Sequence, residues 1–368
     1  MDMEFFARSL AEICARSRVA PGRPLRLIFI ANPTAGGFTI RSRWKEHSRV
    51  LEAYREKALA NPLREALPSQ TAKDFAAFSG SALVCTAGPG TAQKTARSLI
   101  EEADSAPGPF YLVITAGGDG TSLEVLSSVY RGSGRVRANM AVLRLPMGTG
   151  NDGVDRADLA GALDLLVKPV NIEFSPALRL LTASGGPAEA KGPFLAFNIL
   201  SAGLDAFVTH MTNKMKGTLP GDSYKLWVDI AALLYDRLYK VDFLDVRALD
   251  EQERELCSFR EKALLIAVGA SGRRTYGSHN KILPDDRNVC IVKQMPLLRK
   301  LALKGLFRTG EHVEKPESIL FSARRVEFSG LHPILAQMDG ETVLLEKEDF
   351  PAAIELTPPV IPLLKISP

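Results

Sequence analysis

The feature that most constrains this chain is a series of short apolar segments, each followed by a longer segment with a helical pattern. The apolar segments cover residues 25–30, 83–86, 111–115 and 140–145. Alternation of this kind is typical of strand-helix units that build a mostly parallel sheet with helices on its faces. We therefore predict an open α/β domain that ends near residue 165.

The pattern changes after residue 168, where β-rich segments separated by turns replace the strand-helix alternation. We predict a first α/β domain over residues 1–168, in which residues 1–24 form a helical extension. A second, mainly antiparallel and β-sandwich-like domain is expected over residues 169–349. The tail, residues 350–368, is expected to pack back on the first domain.

Composition and charge exclude several classes of protein. The length of 368 residues suits two domains, and 46% hydrophobic with 24% charged residues excludes disorder or a coiled coil throughout. The formal charge of +4 is too small to favour nucleic acid as the main partner. Four scattered cysteines fit a reduced, cytoplasmic setting. We find no segment apolar enough for a transmembrane helix.

The most informative segment is residues 115–124, TAGGDGTSLE, which directly follows an apolar strand. Glycines at such a position let the backbone approach a ligand closely. We expect Thr121 to cap the following helix, with Glu124 completing a capping box. The start of a helix is also an anion-binding site, because its N–H groups are free and its dipole is positive there. The alternative is an ordinary strand-to-helix turn without a ligand.

Two further glycine-rich turns favour the ligand-binding interpretation. Residues 32–37 read NPTAGG after the first strand, and residues 146–152 read PMGTGND after the fourth. Ligands of open α/β sheets bind at the carboxyl ends of the strands, so three such turns indicate one phosphate or nucleotide pocket. Neither a GxGxxG fingerprint after the first strand nor a GxxxxGK[ST] loop is present, which excludes the two familiar nucleotide-binding templates.

These three turns resemble those of the diacylglycerol kinase-type lipid kinases, a family that includes sphingosine kinases and belongs with the NAD kinases in one superfamily. The similarity continues through FNILSAGLDAFV at 197–208, GEHVEKP at 310–316 and MDGE at 338–341. The resemblance implies an ATP-binding α/β domain, a β-rich lipid-substrate domain, and ATP with Mg²⁺ as cofactors. It covers nearly the whole chain from residue 25.

The resemblance also implies roles for individual residues. Asp339 is expected to accept the proton of the attacking hydroxyl group, with Asp119 as second choice and Glu341 as a further catalytic residue; Asp119 and Glu341 are candidate Mg²⁺ ligands. Where relatives often carry a basic residue after the first glycines, this chain offers Arg41 or Arg43. The residues expected to surround the nucleotide are Asn32, Pro33, Gly36, Gly117, Gly118, Asp119, Gly120, Thr121, Gly148, Thr149, Gly150, Asn151 and Asp152.

A lipid kinase must reach its substrate at a membrane surface. Residues 293–308 contain five basic residues, no acidic residue and six Leu or Phe, a composition suited to peripheral contact with an anionic surface such as the inner membrane surface. The alternative is a helix that packs its leucines on the second domain. A homodimer through exposed strand edges is a further expectation.

Two other functions remain open at this point. The first is a kinase of a soluble cofactor, because NAD kinases share the GGDGT sequence. The second is a nucleotide-binding regulator that has lost turnover. Several acceptors offer the required hydroxyl group, and no motif in the sequence selects among them.

Overall fold

The protein is described from a computed structural model. The description covers residues 2–61, 76–78, 81–105, 108–148, 151–183, 194–215, 235, 239–276 and 280–367. Contacts between Cα atoms divide the chain into two compact units. The first unit contains Met1–Ser175 and Pro359–Pro368, and the second contains Pro176–Pro358.

The first unit is an α/β sheet of seven strands with helices packed on it. The strands are β1 (Leu25–Ala31), β2 (Ala76–Phe78), β3 (Ser81–Cys85), β4 (Phe110–Gly117), β5 (Met140–Pro146), β6 (Val170–Ser175) and β20 (Ile361–Ile366). Their order in the sheet is β2-β3-β1-β4-β5-β20-β6. Four neighbouring pairs are parallel: β3–β1, β1–β4, β4–β5 and β5–β20. At the two edges, β2 pairs antiparallel with β3, and β6 pairs antiparallel with β20. The helices are α1 (Met3–Cys14), α2 (Gly36–Thr39), α3 (Arg41–Ala60), α4 (Thr91–Ser105), α5 (Asp119–Arg131), α6 (Gly134–Ala138) and α7 (Leu159–Val167).

The central strands form because their sequences are apolar on both faces. All eight residues of β4 and all seven of β5 are buried. Parallel strands covered by helices on both sides have such continuous apolar sequences, whereas half-exposed strands alternate. The prediction of an α/β domain with glycine-rich turns at strand ends is thereby confirmed.

The N-terminal helix α1 packs on this unit rather than extending from it. The Asp2 side chain accepts hydrogen bonds from the backbone N–H groups of Glu4 and Phe5, which starts the helix. The ring of Phe6 is fully buried and meets the ring of Phe38 edge-on, with centroids 4.9 Å apart. Because Phe38 directly follows the first glycine-rich turn, its contact with Phe6 of α1 stabilises that turn.

The second unit is dominated by antiparallel strands, as predicted. The strands are β7 (Leu178–Leu181), β8 (Leu195–Ala196), β9 (Ile199–Gly203), β10 (Phe243–Leu249), β11 (Glu255–Gly269), β12 (Arg274–Tyr276), β13 (Asn280–Leu283), β14 (Val289–Lys293), β15 (Ser318–Phe321), β16 (Arg325–Ser329), β17 (Ile334–Met338), β18 (Glu341–Leu345) and β19 (Ala352–Leu356). The largest sheet has the order β18-β17-β9-β11-β10-β16-β19-β7-β8, with β14 and β15 branching from β11. The helices are α8 (Leu204–Met215) and α9 (Leu297–Thr309).

The division between the units differs from the boundary expected at residue 168. Strand β6 stays with the first unit because all six of its residues pair with β20. The tail is also divided: β19 pairs with β16 and β7 in the second unit, and only the last residues, 359–368, return to the first. No helix among the described residues is both long and apolar enough to cross a membrane.

Candidate functional site

The three glycine-rich turns lie side by side because the strands before them are neighbours. Strand β1 pairs with β4, and β4 pairs with β5, all in parallel. Their carboxyl ends therefore meet at one edge of the sheet, where ligands of open α/β sheets bind. The backbone N–H of Asn32 donates to the carbonyl of Ala116, 2.8 Å away, which joins the first turn to the second.

The first turn is ordered by its own side chains and by contact with the third turn. Asn32 Oδ1 accepts hydrogen bonds from the N–H of Thr34 at 3.0 Å and from its hydroxyl at 2.8 Å. The N–H of Gly37 donates to the carbonyl of Met147 at 2.8 Å. A Cβ atom on Gly37 would lie 2.9 Å from Met147 Cα, so only glycine permits this approach. Of the other predicted residues in this turn, Pro33 is half-buried and Gly36 is buried.

In the second turn there is no space for a side chain at Gly117, whereas there is space for one at Gly118. A Cβ on Gly117 would come within 2.5 Å of Thr121 Oγ1, whereas a Cβ on Gly118 would meet no atom of the described residues within 4 Å. Helix α5 starts at Asp119, which is half-buried, and Gly118 is its N-cap. The positive end of the α5 dipole and its first N–H groups therefore lie beside an open glycine.

The predicted capping box of α5 is wrong. No side chain caps the helix, and Thr121 lies inside its first turn. The Glu124 carboxylate instead accepts the backbone N–H groups of Gly90 at 2.7 Å and Gln93 at 3.0 Å, at the start of α4. Glu124 takes this role because α4 and α5 are neighbours, and the start of α4 offers N–H donors without intrahelical partners.

The third turn touches the second through glycine. A Cβ on Gly148 would lie 2.8 Å from Gly118 Cα, so the two backbones are in contact. Asn151 has a left-handed backbone, with φ of 56°, and its Nδ2 donates to the carbonyl of Pro146 at 3.1 Å. Its Oδ1 is buried and has no hydrogen-bond partner among the described residues. Asp152 is half-buried, and the predicted site residues Thr149 and Gly150 fall outside the described part of the chain.

Arg43 brings positive charge to this edge. Its Nη1 donates to the carbonyl of Gly148 at 3.2 Å, whereas Arg41 is exposed and makes no contact of this kind in the described structure. His47 packs against Gly37 from the same helix, and burial lowers the pKa of its imidazole below the ordinary value. The neutral ring adds no charge at pH 7, whereas Arg43 places a positive charge beside the third turn.

An ion pair that the sequence analysis missed fixes the segment after the third turn. Arg144 on β5 and Asp155 are each only 4% exposed, and Nη2 of the arginine lies 2.7 Å from Oδ1 of the aspartate. Asp155 Oδ2 also accepts the backbone N–H of Arg144 at 2.7 Å. A single arginine inside an otherwise apolar strand was the available signal, because a buried charge requires a partner.

In the second unit, Asp339 and Gly340 form the two-residue turn between β17 and β18. Their φ angles are 47° and 104°, as in a type I′ hairpin. The Asp339 side chain is buried, and its two carboxylate oxygens accept the backbone N–H groups of residues 197–199. Glu341 is exposed at the first position of β18. The structure thus places Asp339 and Glu341 in one hairpin, with Asp339 holding a neighbouring segment in place.

A buried polar network supports this hairpin. Gln337 Oε1 accepts the N–H of Gly340 at 3.1 Å, and Gln337 Nε2 donates to Ser201 Oγ at 2.9 Å. The Ser201 hydroxyl in turn donates to Asp205 Oδ2 at 2.6 Å. Because Gln337 and Ser201 are fully buried, these bonds fix the Asp339–Gly340 turn against β9 and the start of α8.

Similarity to known proteins agrees with this geometry. Residues 90–172 match the diacylglycerol kinase catalytic domain, and residues 198–365 match the YegS C-terminal NAD kinase beta sandwich-like domain. Together these matches cover more than half of the 368 residues. The first of these matches places the chain in a kinase class of phosphotransferases. Within that class, the chain belongs to the diacylglycerol kinase family, in the NAD kinase-like superfamily.

Two solved structures from Bacillus anthracis str. Sterne share the fold. A candidate diacylglycerol kinase aligns with a TM-score of 0.59 and 16% identity, covering 94% of this chain and 97% of that chain. A second diacylglycerol kinase structure aligns with a TM-score of 0.52 and 14% identity, covering 92% and 96%. No protein among curated sequences matches this chain.

Proposed function

We propose that this protein is an ATP- and Mg²⁺-dependent lipid kinase that phosphorylates a hydroxyl group of a lipid such as diacylglycerol or a sphingoid base. The observation that carries the proposal is the contrast among the glycines of the second and third turns. Gly117 and Gly148 are required by packing, but a Cβ at Gly118, at the start of α5, would meet no atom of the described residues within 4 Å. A bare backbone at that point suits close approach by a phosphate group.

The chain's own groups supply most of what phosphoryl transfer needs. The reaction depends on in-line positioning and on neutralising the phosphate charge. The N–H groups at the start of α5 can bind phosphate oxygens, and Arg43, held at the Gly148 carbonyl, can balance their charge. Asn151 Oδ1 is buried without a hydrogen-bond partner in the described part of the chain, and it can accept from a donor group of the nucleotide.

Asp119 is the carboxylate best placed to bind Mg²⁺ at the phosphates of the nucleotide. Among the described residues, no three His, Cys, Asp or Glu side chains form a group that could hold a metal by themselves. Mg²⁺ commonly needs only one or two carboxylates, because phosphate oxygens and water complete its shell. Asp119, at the first residue of α5, fits such a partial site, and bound Mg²⁺ would neutralise charge on the phosphates.

The contacts of Asp339 favour a positioning role over proton abstraction. Three backbone N–H groups already occupy its oxygens, which leaves little capacity for a proton from a substrate hydroxyl group. We therefore assign proton acceptance, or orientation of the hydroxyl, to Asp119. Glu341 is exposed and so remains available for contact with substrate or metal.

The nucleotide part of the proposal can be tested with two glycine variants. A Cβ atom added at Gly118 or at Gly134 would meet no atom within 4 Å in the part of the chain that the structure describes, so we expect alanine at either position to fold normally. We expect Gly118→Ala to weaken ATP binding roughly tenfold, since the methyl group would displace the phosphate. Gly134→Ala, at the start of α6, should bind ATP like the wild type. Equal ATP affinity in the wild type and both variants would show that the phosphate does not bind at Gly118.

The acceptor can be identified by transfer of labelled phosphate. The protein would be incubated with γ-labelled ATP and Mg²⁺, together with a total lipid extract, and separately with NAD. Label in a chloroform-soluble product is the expected result. Label in NAD alone would replace the lipid kinase with a cofactor kinase. ATP binding without any transfer would identify a nucleotide-binding regulator.

A further inference from the structure

Strand β6 lies at one end of the first sheet, and no strand pairs with its outer edge in the part of the chain that the structure describes. Proteins usually protect such an edge with a very short strand, a lysine, a proline or a bulge, because its free N–H and C=O groups can pair with another chain. Strand β2, at the opposite end, has only three residues. Strand β6 has six, VNIEFS, without lysine or proline, and its pairing with β20 is regular throughout. The edge at β6 is therefore open to a further strand.

The backbone groups of β6 point alternately toward β20 and toward the free edge. The carbonyl of Pro169, just before β6, accepts the N–H of Ser367 at 3.1 Å, and the carbonyl of Ser175 accepts the N–H of Val360 at 3.0 Å. The odd-numbered residues of this segment therefore direct their N–H and C=O groups toward β20. The residues between them direct theirs outward, and these are Val170, Ile172 and Phe174.

These outward groups are self-complementary in one antiparallel register. When Ile172 of one copy lies opposite Ile172 of a second copy, Val170 of each copy lies opposite Phe174 of the other. Every outward N–H then meets an outward C=O across a two-fold axis. A shift of one residue would set outward groups against residues that face β20, and a shift of two would leave Val170 or Phe174 without a partner.

The apolar side chains fit the same register. Phe174 is 44% exposed, and Ile366, which lies opposite Val170 in β20, is 38% exposed. In the paired edges, Phe174 of one copy would contact Val170 of the other, and Ile366 of that other copy lies beside this Val170. The exposed apolar side chains of the edge would therefore cover one another, as cross-strand pairs do in antiparallel sheets.

The polar side chains on the opposite face also fit this register. Asn171 of one copy would lie opposite Glu173 of the other, and Lys365 lies on the far side of that Asn171 in β20. All three side chains are exposed in the single chain. The Glu173 carboxylate would accept from the Asn171 amide, with the Lys365 ammonium group beyond it. No like charges lie opposite each other, which would otherwise oppose the pairing.

We propose that β6 pairs with β6 of a second copy of this chain, so that the first-unit sheets of the two copies form one continuous sheet. In strand addition of this kind, main-chain hydrogen bonds provide affinity and alternate side chains provide specificity. The two-fold axis occupies both free edges, so association stops at the dimer. The proposal is independent of the proposed kinase activity, and its test needs no substrate.

Sedimentation velocity of the full chain over a range of concentrations tests this interface. The test variant is Asn171→Glu, which would place a second carboxylate opposite Glu173 of the other copy. We expect its dimer dissociation constant to rise roughly tenfold or more, and the further substitution Glu173→Lys to restore the dimer. The control is Gln252→Glu, which adds the same charge at an exposed residue between β10 and β11 and should dimerise like the wild type.

Hydrogen exchange locates the contact without any substitution. In the wild type, exchange of the N–H groups of residues 170, 172 and 174 should slow as the protein concentration rises. A monomer at every concentration would overturn the proposal, and so would a dimer that Asn171→Glu leaves unchanged. Failure of Glu173→Lys to restore the dimer would show that residues 171 and 173 do not face each other, which also overturns it. Assemblies larger than a dimer would contradict the two-fold pairing.

Discussion

The substitution Arg144→Met tests whether the buried ion pair holds the segment that follows the third glycine-rich turn. Methionine has a comparable length and lacks the charge, so Asp155 would keep its bond to the backbone N–H of residue 144 but lose the guanidinium. Both side chains are only 4% exposed, so water cannot replace the lost partner. Removing one partner of such a pair costs about 3–5 kcal/mol of the free energy of unfolding.

A double-mutant cycle isolates the contribution of the pair. In Arg144→Met with Asp155→Asn, the amide oxygen can still accept the backbone N–H, and no buried charge remains. We expect the double variant to recover most of the loss seen in Arg144→Met, so that the two single losses are far from additive. Urea unfolding would be followed by the fluorescence of Trp44, in a Trp227→Phe background, so that the signal reports the first unit.

Two results would refute the anchoring role: a loss of less than about 1 kcal/mol in Arg144→Met, or single losses that simply add in the double variant. Either result would mean that water or another group compensates the carboxylate, and that the pair does not anchor the turn. If only the two single variants are destabilised, and both of them bind ATP more weakly than the wild type, the Arg144–Asp155 ion pair also supports the nucleotide site.

Three further predictions concern glycine packing, pH and the hairpin of the second unit. Gly148→Ala should lower the unfolding free energy by about 1–3 kcal/mol, because its Cβ would lie 2.8 Å from Gly118 Cα, whereas Gly118→Ala should leave the melting temperature unchanged. Burial lowers the pKa of His312 below 6.5, so the unfolded chain binds more protons and the stability should fall as pH decreases below that value. Between pH 5 and 8, the urea midpoint of unfolding should therefore depend less on pH in His312→Gln than in the wild type. Asp339→Asn would turn an N–H₂ group toward the N–H groups of residues 197–199 and should cost about 2–3 kcal/mol of the free energy of unfolding. Calorimetric titration should show unchanged ATP affinity, because the three glycine-rich turns belong to the first unit.

Local sequence patterns were sufficient to predict four of the seven strands of the first unit and the three glycine-rich turns that follow three of them. An apolar sequence such as YLVIT at 111–115 specifies a strand buried on both faces, and the glycines that follow specify a turn that side chains cannot occupy. Adjacent parallel strands then bring their turns together without further information. The three turns could therefore be assigned to one edge of the sheet from the sequence.

The interactions that could not be predicted are those that depend on which elements become neighbours. Glu124 has the sequence position of a capping residue for its own helix, and only the packing of α4 beside α5 directs its carboxylate to Gly90. The carboxylate of Asp339 is likewise held by a segment about 140 residues earlier in the chain. A Gly-rich or Asp-Gly pattern indicates a turn, but the partner of its side chain is set by tertiary structure.

The position of β20 has a consequence for the order of events during synthesis. This strand lies between β5 and β6 in the first sheet, yet it is translated after the whole second unit. Until residues 361–366 leave the ribosome, β6 lacks its only strand partner among the described residues, and β5 keeps an apolar edge open to other chains. The first unit therefore cannot finish folding as soon as its main segment emerges, which is the usual order for domains. A ribosome that stops before residue 361 releases a chain with a complete second unit and an unfinished nucleotide-binding sheet.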